Sequence, residues 1–467
     1  MAMMTLGKAI RRLSIAAAFC GAALGSGAAL AQSPLSLFDN IFTGSISPGK
    51  TNAPAPQQGA APPPSASSAP LPWSGEDGGS GHPLMTAQAI REAAANFDAC
   101  VASLWPEAAR RGVSQDSFRR FTAGLAPDLR IMDLMDSQPE FTKAIWDYLD
   151  ILVNDNRLAK GREILATYKP QFDAAEQAFG VDRYIIASIW GIESNYSTQM
   201  GDRSVLNSTA TLACVGRRQK YFKDEFLVSL EILHRGDLRP EQLRGSWAGA
   251  FGPTQFMPTA FKRYAVDADG DGRRDVVGNP ADLIFSTANN LKKDGWQAGQ
   301  SWGYEVAVPA NFNYLLADRA RAMTIAQWEE IGLRRPNGQP FPRPSDKAYL
   351  LAPAGAEGPG FLMLQNFRVI MKYNPAEAYA LAIGHFADRL RGGQPFIQPW
   401  PRQERVLSRA ERLELQQLLA QRGFYRGTPD GQFGGQTREA LRSFQASIGT
   451  PADGFATGDV LERLRGR

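Results

Sequence analysis

Glu193 closes a run, residues 181–193 (VDRYIIASIWGIE), that is apolar nearly all round. Tyr184, Ile185, Ile186, Ile189, Trp190 and Ile192 offer it apolar neighbours. A carboxyl at such a boundary is desolvated, which disfavours the anion and raises its pKa. A proton held near neutral pH is what a general acid needs to protonate a glycosidic oxygen. Ser194, Asn195 and Tyr196 follow, a polar and aromatic mix that suits a sugar-lined cleft. On these residues alone the competing reading is a structural glutamate satisfied by a helix cap or an arginine.

Two further stretches carry chemistry. Residues 245–258 (GSWAGAFGPTQFMP) combine glycines, which permit close backbone approach, with Ser246, Thr254 and Gln255 as hydrogen-bonding groups amid aromatic surface. A packed turn is the plain alternative. Downstream, Asp267, Asp269, Asp271 and Asp275 stand at positions 1, 3, 5 and 9 of an EF-hand-like loop, with Gly272 at the sharp turn and Arg273 at the backbone-carbonyl position. Gly278 replaces the usual bidentate glutamate, and Asp282 in the next helix could take its place. Carboxylates this close repel one another without a cation. The loop therefore reads as a structural calcium site, with a solvated acidic turn or a weak magnesium or sodium site as alternatives. The chemistry itself calls for no cofactor.

These groups need elements to position them, and the pattern is mainly α. The length, 467 residues, allows two to four domains at about 100–200 residues each. With 43% hydrophobic and 21% charged residues, most of the chain should fold. The net charge is +4, but Lys8, Arg11 and Arg12 lie in the first 31 residues, which hold no acid, so the remainder is nearly neutral. That balance argues against a nucleic-acid binder. Three histidines and three cysteines are too few for a Cys/His zinc cluster.

Residues 1–31 have the basic start, apolar Ala/Gly-rich middle and Ala29-Leu30-Ala31 end of a secretory signal peptide. An uncleaved anchor is the alternative, and would be the only membrane attachment. A lipoprotein is disfavoured because Cys20 follows the bulky Phe19. Cleavage would leave Cys100 and Cys214, which in an exported protein point to one disulfide, two separate buried thiols being the alternative. Residues 32–84, rich in Pro, Ala, Ser and Gly, read as a tether. Residues 85–392 are mainly helical: 87–104, 141–152 and 181–193 show helical spacing, and Asn279-Pro280 and Asn374-Pro375 open helices over 281–294 and 376–390. Residues 304–308 and 348–351 are strand candidates. A proline-spaced linker, 393–404, leads to a small unit over 405–467, with helices near 409–422, 436–448 and 458–464. Two Asp-Gly turns, at 430 and 453, hint at an internal repeat.

Four blocks in this order resemble the B-type lytic murein transglycosylases: GIESNYS at 191–197, GSWAGAFGPTQFMP at 245–258, the acidic loop from Asp267, and YNPAEAYALAI at 373–383. The resemblance spans about residues 85–391. Asp430-Gly431-Gln432-Phe433-Gly434, Thr437, Ala440, Phe444-Gln445 and Gly449 resemble a small three-helix peptidoglycan-binding domain. The signal peptide points to export into the periplasm as a soluble protein, and the resemblance implies a lysozyme-like helical catalytic domain acting on peptidoglycan glycan strands, at the β-1,4 bond between N-acetylmuramic acid and N-acetylglucosamine. It implies Glu193 as sole catalytic carboxylate, first acid and then base, with the C6 hydroxyl of the muramic residue attacking C1 to leave a 1,6-anhydro end.

It further places Ser246 and Gln255 along the sugar cleft, Asn374 and Tyr379 near the glutamate, Arg217 and Arg218 beside the substrate's peptide or carboxylates, and calcium in the acidic loop. A solvated helix face is the other reading of the two arginines. The chain departs from the family pattern at Pro253-Thr254 (Tyr-Gly in some members), Asn290 (a cleft tyrosine in some) and Ser197 (frequently glycine). Two other functions remain open at this level. One is a water-using muramidase with Asp202 or Asp224 as base; the other is a catalytically silent wall-binding scaffold. No protein partner is specified.

Overall fold

Helix-period apolar residues build one large core, and short buried strands build a second, smaller one. The structure, a computed structural model, describes residues 72–136 and 144–466. The expected signal peptide and most of the tether lie outside the described residues. Among the described residues no helix is long and apolar enough to cross a membrane.

The end of the expected tether already belongs to the body. Trp73 packs on the large core, and Ser74 donates from both its backbone N and its Oγ to Asp133. The expected helix over 87–104 is two, Ala87–Ala95 and Phe97–Ser103. The break falls at Asn96, whose Nδ2 donates to the Glu92 carbonyl and competes with the helical ladder. Part of the expected 141–152 helix lies outside the described residues; Ile145–Leu152 is helical.

At the centre of the large core, the Glu193 helix (Arg183–Ser194) packs against the Tyr379 helix (Glu377–Leu390). Asp182 caps the former by accepting from the Tyr184 N–H. Val205–Cys214 packs on Gln219–Arg235, and a disulfide joins Cys214 to Cys100 across 114 residues, with Cα atoms 6.0 Å apart. Closing a loop of this length stabilises by about 5 kcal/mol in the chain-entropy model.

Two small sheets complete the body. β1 (Arg203–Ser204) pairs antiparallel with β2 (Arg244–Gly245). A four-stranded antiparallel sheet has the order β3-β6-β5-β4, from β3 (Gly303–Val306), β4 (Met323–Thr324), β5 (Lys347–Leu351) and β6 (Gly360–Met363). β6 was not legible beforehand. Its four residues are all buried, and so short an apolar run has no period to read.

The expected linker 393–404 lies as a strap along the body. Phe396 stacks on His385 with centroids 3.8 Å apart, and Trp400 packs on Trp146 and Phe361. Glu305 accepts from the Ile397 and Gln398 N–H groups, and Arg402 pairs with Asp150 at 2.7 Å. Proline spacing gives the extended shape, and the aromatic residues between the prolines anchor it.

The C-terminal module holds helices Arg409–Gln421, Gly435–Ser447 and Gly458–Arg465 around Leu415, Leu419, Leu441, Phe444 and Leu461. Its two Asp-Gly turns are built alike. Gln416 Oε1 accepts from Gly431 N while its Nε2 donates to Asp430; Gln445 Oε1 accepts from Gly454 N while its Nε2 donates to Asp453. Both glycines have φ +74°.

Candidate active site

Glu193 sits in the last turn of its helix and is 4% exposed. Its Oε1 accepts from the Tyr379 hydroxyl at 2.6 Å, and its Oε2 has no hydrogen-bond partner among the described residues. Burial pushes the carboxyl well above its ordinary range, and the Tyr379 hydrogen bond pulls only partly against that. Glu193 joins no ion pair among the described residues, and no other carboxylate there perturbs it. The structural-glutamate reading required a cap or an arginine, and neither bonds the Glu193 carboxyl among the described residues.

The chain beyond Glu193 is sharply bent. Asn195, Tyr196 and Ser197 all take left-handed backbone angles, with φ of 48°, 55° and 72°. Ser197 thus stands where a residue without Cβ would relax most easily. The bend is held by Ser194 Oγ, which donates to the Pro253 carbonyl at 2.7 Å and accepts from Ser197 N at 2.9 Å, and by Trp190 Nε1 donating to Ser197 Oγ. It brings Tyr196 back onto its own helix. A Cβ on Gly191 would lie 2.7 Å from the Tyr196 ring, so only glycine admits the aromatic there.

The glycine-rich turn closes over the same cluster. Thr254 accepts through its carbonyl from the Tyr373 hydroxyl at 2.5 Å, and its side chain meets Thr287 at 3.2 Å. Gln255, at φ 51°, donates to the Met200 and Gly252 carbonyls while its buried Oε1 has no partner among the described residues. Asn290, one turn beyond Thr287 on the Pro280–Lys293 helix, likewise has a buried Oδ1 without a partner there. Two unpartnered acceptors flanking one turn are groups that a ligand's N–H or O–H can satisfy.

Ser246 is 3% exposed, and its Oγ accepts from Ala250 N, so its bonds serve the turn. Asn374 was expected to cap the following helix. It instead ends the helix Gln365–Tyr373, in extended conformation as a residue before proline prefers, and its Oδ1 accepts from Ala376 N. Arg217 donates to the Met135 carbonyl, and Arg218 lies 4.7 Å over the Tyr221 ring. Neither has a bond to the Glu193 cluster among the described residues. Tyr373 was overlooked as an individual residue. Its signal was an aromatic six positions before Tyr379 in the same quoted block.

In the acidic loop, carboxylate oxygens of Asp267, Asp269 and Asp282 lie within 4.8 Å of one another. Asp282 is fully buried and accepts from the Ala268 and Asp275 N–H groups; burial, then the neighbouring Asp269 and Asp267, push its carboxyl up. Asp271 lies outside that cluster and accepts from Arg273 N, while the Arg273 guanidinium turns to Asp275. Asp275 is occupied by Gln242 and by the Gly278 N–H. The three converging hard oxygen donors fit calcium or a similar cation.

A polar cavity of about 290 Å³, lined by Asp182, Trp302, Asp388 and Arg391 among others, lies at the opposite end of the two central helices from Glu193 and Tyr379.

Comparison with known proteins places these features. Residues 96–388 match the Transglycosylase SLT domain family, and residues 408–464 match the Putative peptidoglycan binding domain family. Membrane-bound lytic murein transglycosylase B of Escherichia coli (strain K12) is 31% identical over 265 residues, 54% of this chain and 72% of that protein. The crystal structure of SltB3 from Pseudomonas aeruginosa in complex with NAG-anhNAM-pentapeptide aligns with TM-score 0.76 and 43% identity, covering 79% of this chain and 99% of that one. The Escherichia coli lytic transglycosylase Slt35 in complex with calcium aligns with TM-score 0.54 and 27% identity, over 63% of this chain and 92% of that one. The SLT match covers well over half of the sequence and contains Glu193, Tyr373 and Tyr379, so the chain belongs to the SLT-domain transglycosylase family and carries a peptidoglycan-binding module after the catalytic domain.

Proposed function

We propose that this protein is a peptidoglycan lytic transglycosylase in which Glu193 acts first as acid and then as base. The observation that carries the reading is Glu193 itself: buried, unpaired by any cation among the described residues, with Tyr379 on one oxygen and the other free. The free oxygen would deliver its proton to the glycosidic oxygen as the bond to C1 of the muramic residue breaks. The ionised carboxylate, now steadied by Tyr379, would take the proton from the C6 hydroxyl as that oxygen bonds to C1. Two protons move, one bond breaks, one forms, and no water is consumed. Because the attacking hydroxyl belongs to the same sugar, proximity favours it over solvent.

The relatives' ligands fit this reading, since SltB3 was solved with a NAG-anhNAM-pentapeptide. A water-using mechanism would need a second carboxylate beside the first. Asp224 is paired with Arg111 at 2.6 Å and Asp202 is exposed, and neither perturbs the Glu193 carboxyl, which supports the single-carboxylate reading. Gln255 and Asn374, with Tyr379, are the side chains we assign to sugar binding; Ser246 shapes the turn, and Arg217 and Arg218 are assigned to the stem peptide. The basic and apolar leader supports export to the periplasm. Asp267, Asp269 and Asp282 would hold a calcium ion, whose charge would offset their mutual repulsion and clamp the loop.

The test is product analysis of digested murein by mass spectrometry. Anhydro ends, lighter than hydrolytic ends by one water, are expected from the wild type and absent from Glu193→Gln, with a rate loss of about a thousandfold or more. Reducing ends, or equal release by the variant, would overturn the proposal.

A further inference from the structure

The first turn of the Tyr379 helix is poorly secured by its own sequence. Its N-cap is Ala376, preceded by Pro375, and no side chain caps it. A helix start without a Ser, Thr, Asp or Asn cap leaves its N–H groups to other partners. Besides the Asn374 bond to Ala376 N, what ties this turn to other parts of the chain is Glu377, its first residue, two positions before Tyr379. The Glu377 side chain is 10% exposed and held by two cations from different parts of the chain. Arg319, from the loop before β4, reaches Oε1 at 2.6 Å; Arg438, from the Gly435–Ser447 helix of the C-terminal module, reaches Oε2 at 2.9 Å. Burial pushes the Glu377 carboxyl up, but Arg438 and Arg319 outweigh it and hold it below the usual range.

The module does not touch the body at this point alone. Arg442, one helical turn after Arg438, donates to the Ala317 carbonyl at 2.6 Å. Asp453, in the second Asp-Gly turn, accepts from Ala356 N at 2.8 Å. Gly355, at φ 68°, makes that approach feasible, because a Cβ there would collide with the Asp453 carboxylate. The second half of the internal repeat is thus spent on docking, and the equivalent Asp430 turn has no such contact among the described residues.

We infer that Arg438 is a positioning residue of the active site: by pairing with Glu377 it holds the turn that presents Tyr379 to Glu193, so the wall-binding module completes the catalytic domain as well as tethering it. This rests on the function proposed above. Without Arg438, a buried carboxylate keeps only one of its two cations, and the turn relaxes toward water to solvate it. Tyr379 moves with the turn, and sub-ångström misplacement of a group bonded to the catalytic acid lowers turnover while leaving remote sugar contacts intact.

The experiment uses the full chain and soluble, peptide-free glycan strands, whose cleavage requires no retention on an insoluble wall. Arg438→Ala should lower kcat by about tenfold with KM within about twofold. Arg438→Lys, which keeps the charge, should recover most of the loss. Arg442→Ala removes a docking bond but leaves Glu377 paired, and should keep kcat within about twofold. An Arg438→Ala kcat equal to wild type overturns the inference, as does an Arg442→Ala loss of the same size. Should Arg438→Ala fail to fold by thermal melting, Arg438→Gln is read by the same criteria. Wild type that yields no anhydro ends at all would instead sink the underlying function, a result distinguishable from both.

Discussion

At the scale of single residues, the site is a balance between burial and one hydrogen bond. Burial raises the Glu193 carboxyl and Tyr379 restrains it by donating to the anion. The sign follows directly. On the proposed mechanism activity needs the protonated acid, so kcat/KM should fall as pH rises through the Glu193 pKa. Tyr379→Phe removes the group that favours the anion, so that basic limb should move to higher pH. The kcat should fall roughly tenfold, the size of one lost hydrogen bond to a charged group. A pH–rate profile of the variant checks both, and a limb displaced to lower pH would refute the arrangement.

The same carboxyl burdens the fold. An acid whose folded pKa exceeds its unfolded value stabilises the native state at low pH, and that contribution is lost as pH rises through the folded pKa. At pH 7 the folded chain keeps a proton on Glu193 that the unfolded chain would release, a cost Glu193→Gln removes, so the variant should melt at a higher temperature than wild type at pH 7, with the gap closing below the unfolded value near 4.5. Calorimetry across pH decides the point. The need for a desolvated acid was legible in the apolar run before Glu193. Tyr373 offered only its place in the quoted block, because its role depends on a hydroxyl meeting a carbonyl 119 positions away.

At the scale of elements, the acidic loop shows how far spacing carries. The spacing placed Asp267 and Asp269 together, and Asp282 from the next helix joins them. Asp271 and Asp275 had equal claims in the linear pattern, but local N–H groups and side chains engage them instead. Calcium at about a hundred times its Kd should stabilise by about 2.7 kcal/mol, read as a rise in Tm. Asp269→Asn should reduce that rise, and Asp271→Asn should leave most of it. An unchanged Tm on adding calcium or chelator would remove the ion from the account. Helix ends were similarly legible to within a residue or two, as at Arg183–Ser194 and Pro280–Lys293, because caps and prolines are local signals. The split at Asn96 was not, since a side chain competing for its own backbone looks like any other polar position.

At the scale of the whole molecule, the strap and the module turn what reads as beads on a string into a single unit. Trp400 packs against Trp146 and Phe361, and Phe396 against His385. Trp400→Ala should destabilise by about 2 kcal/mol, less than for a fully buried tryptophan because Trp400 is half-buried. Denaturant unfolding measures this, and a change below about 0.5 kcal/mol would mean the strap is loosely held.

The sequence by itself determined the helical class, a desolvated carboxyl at position 193, the acidic loop and the small C-terminal unit. Each of these is written in local composition, spacing or a short ordered block. Only the tertiary structure decided which donor holds Glu193, which aspartates converge, that residues 393–404 pack rather than swing, and that Arg438 and Glu377 meet. Those outcomes depend on pairs far apart along the chain, and a pairing energy that exists only after both partners are brought together leaves no period or composition for a reader of the sequence to find.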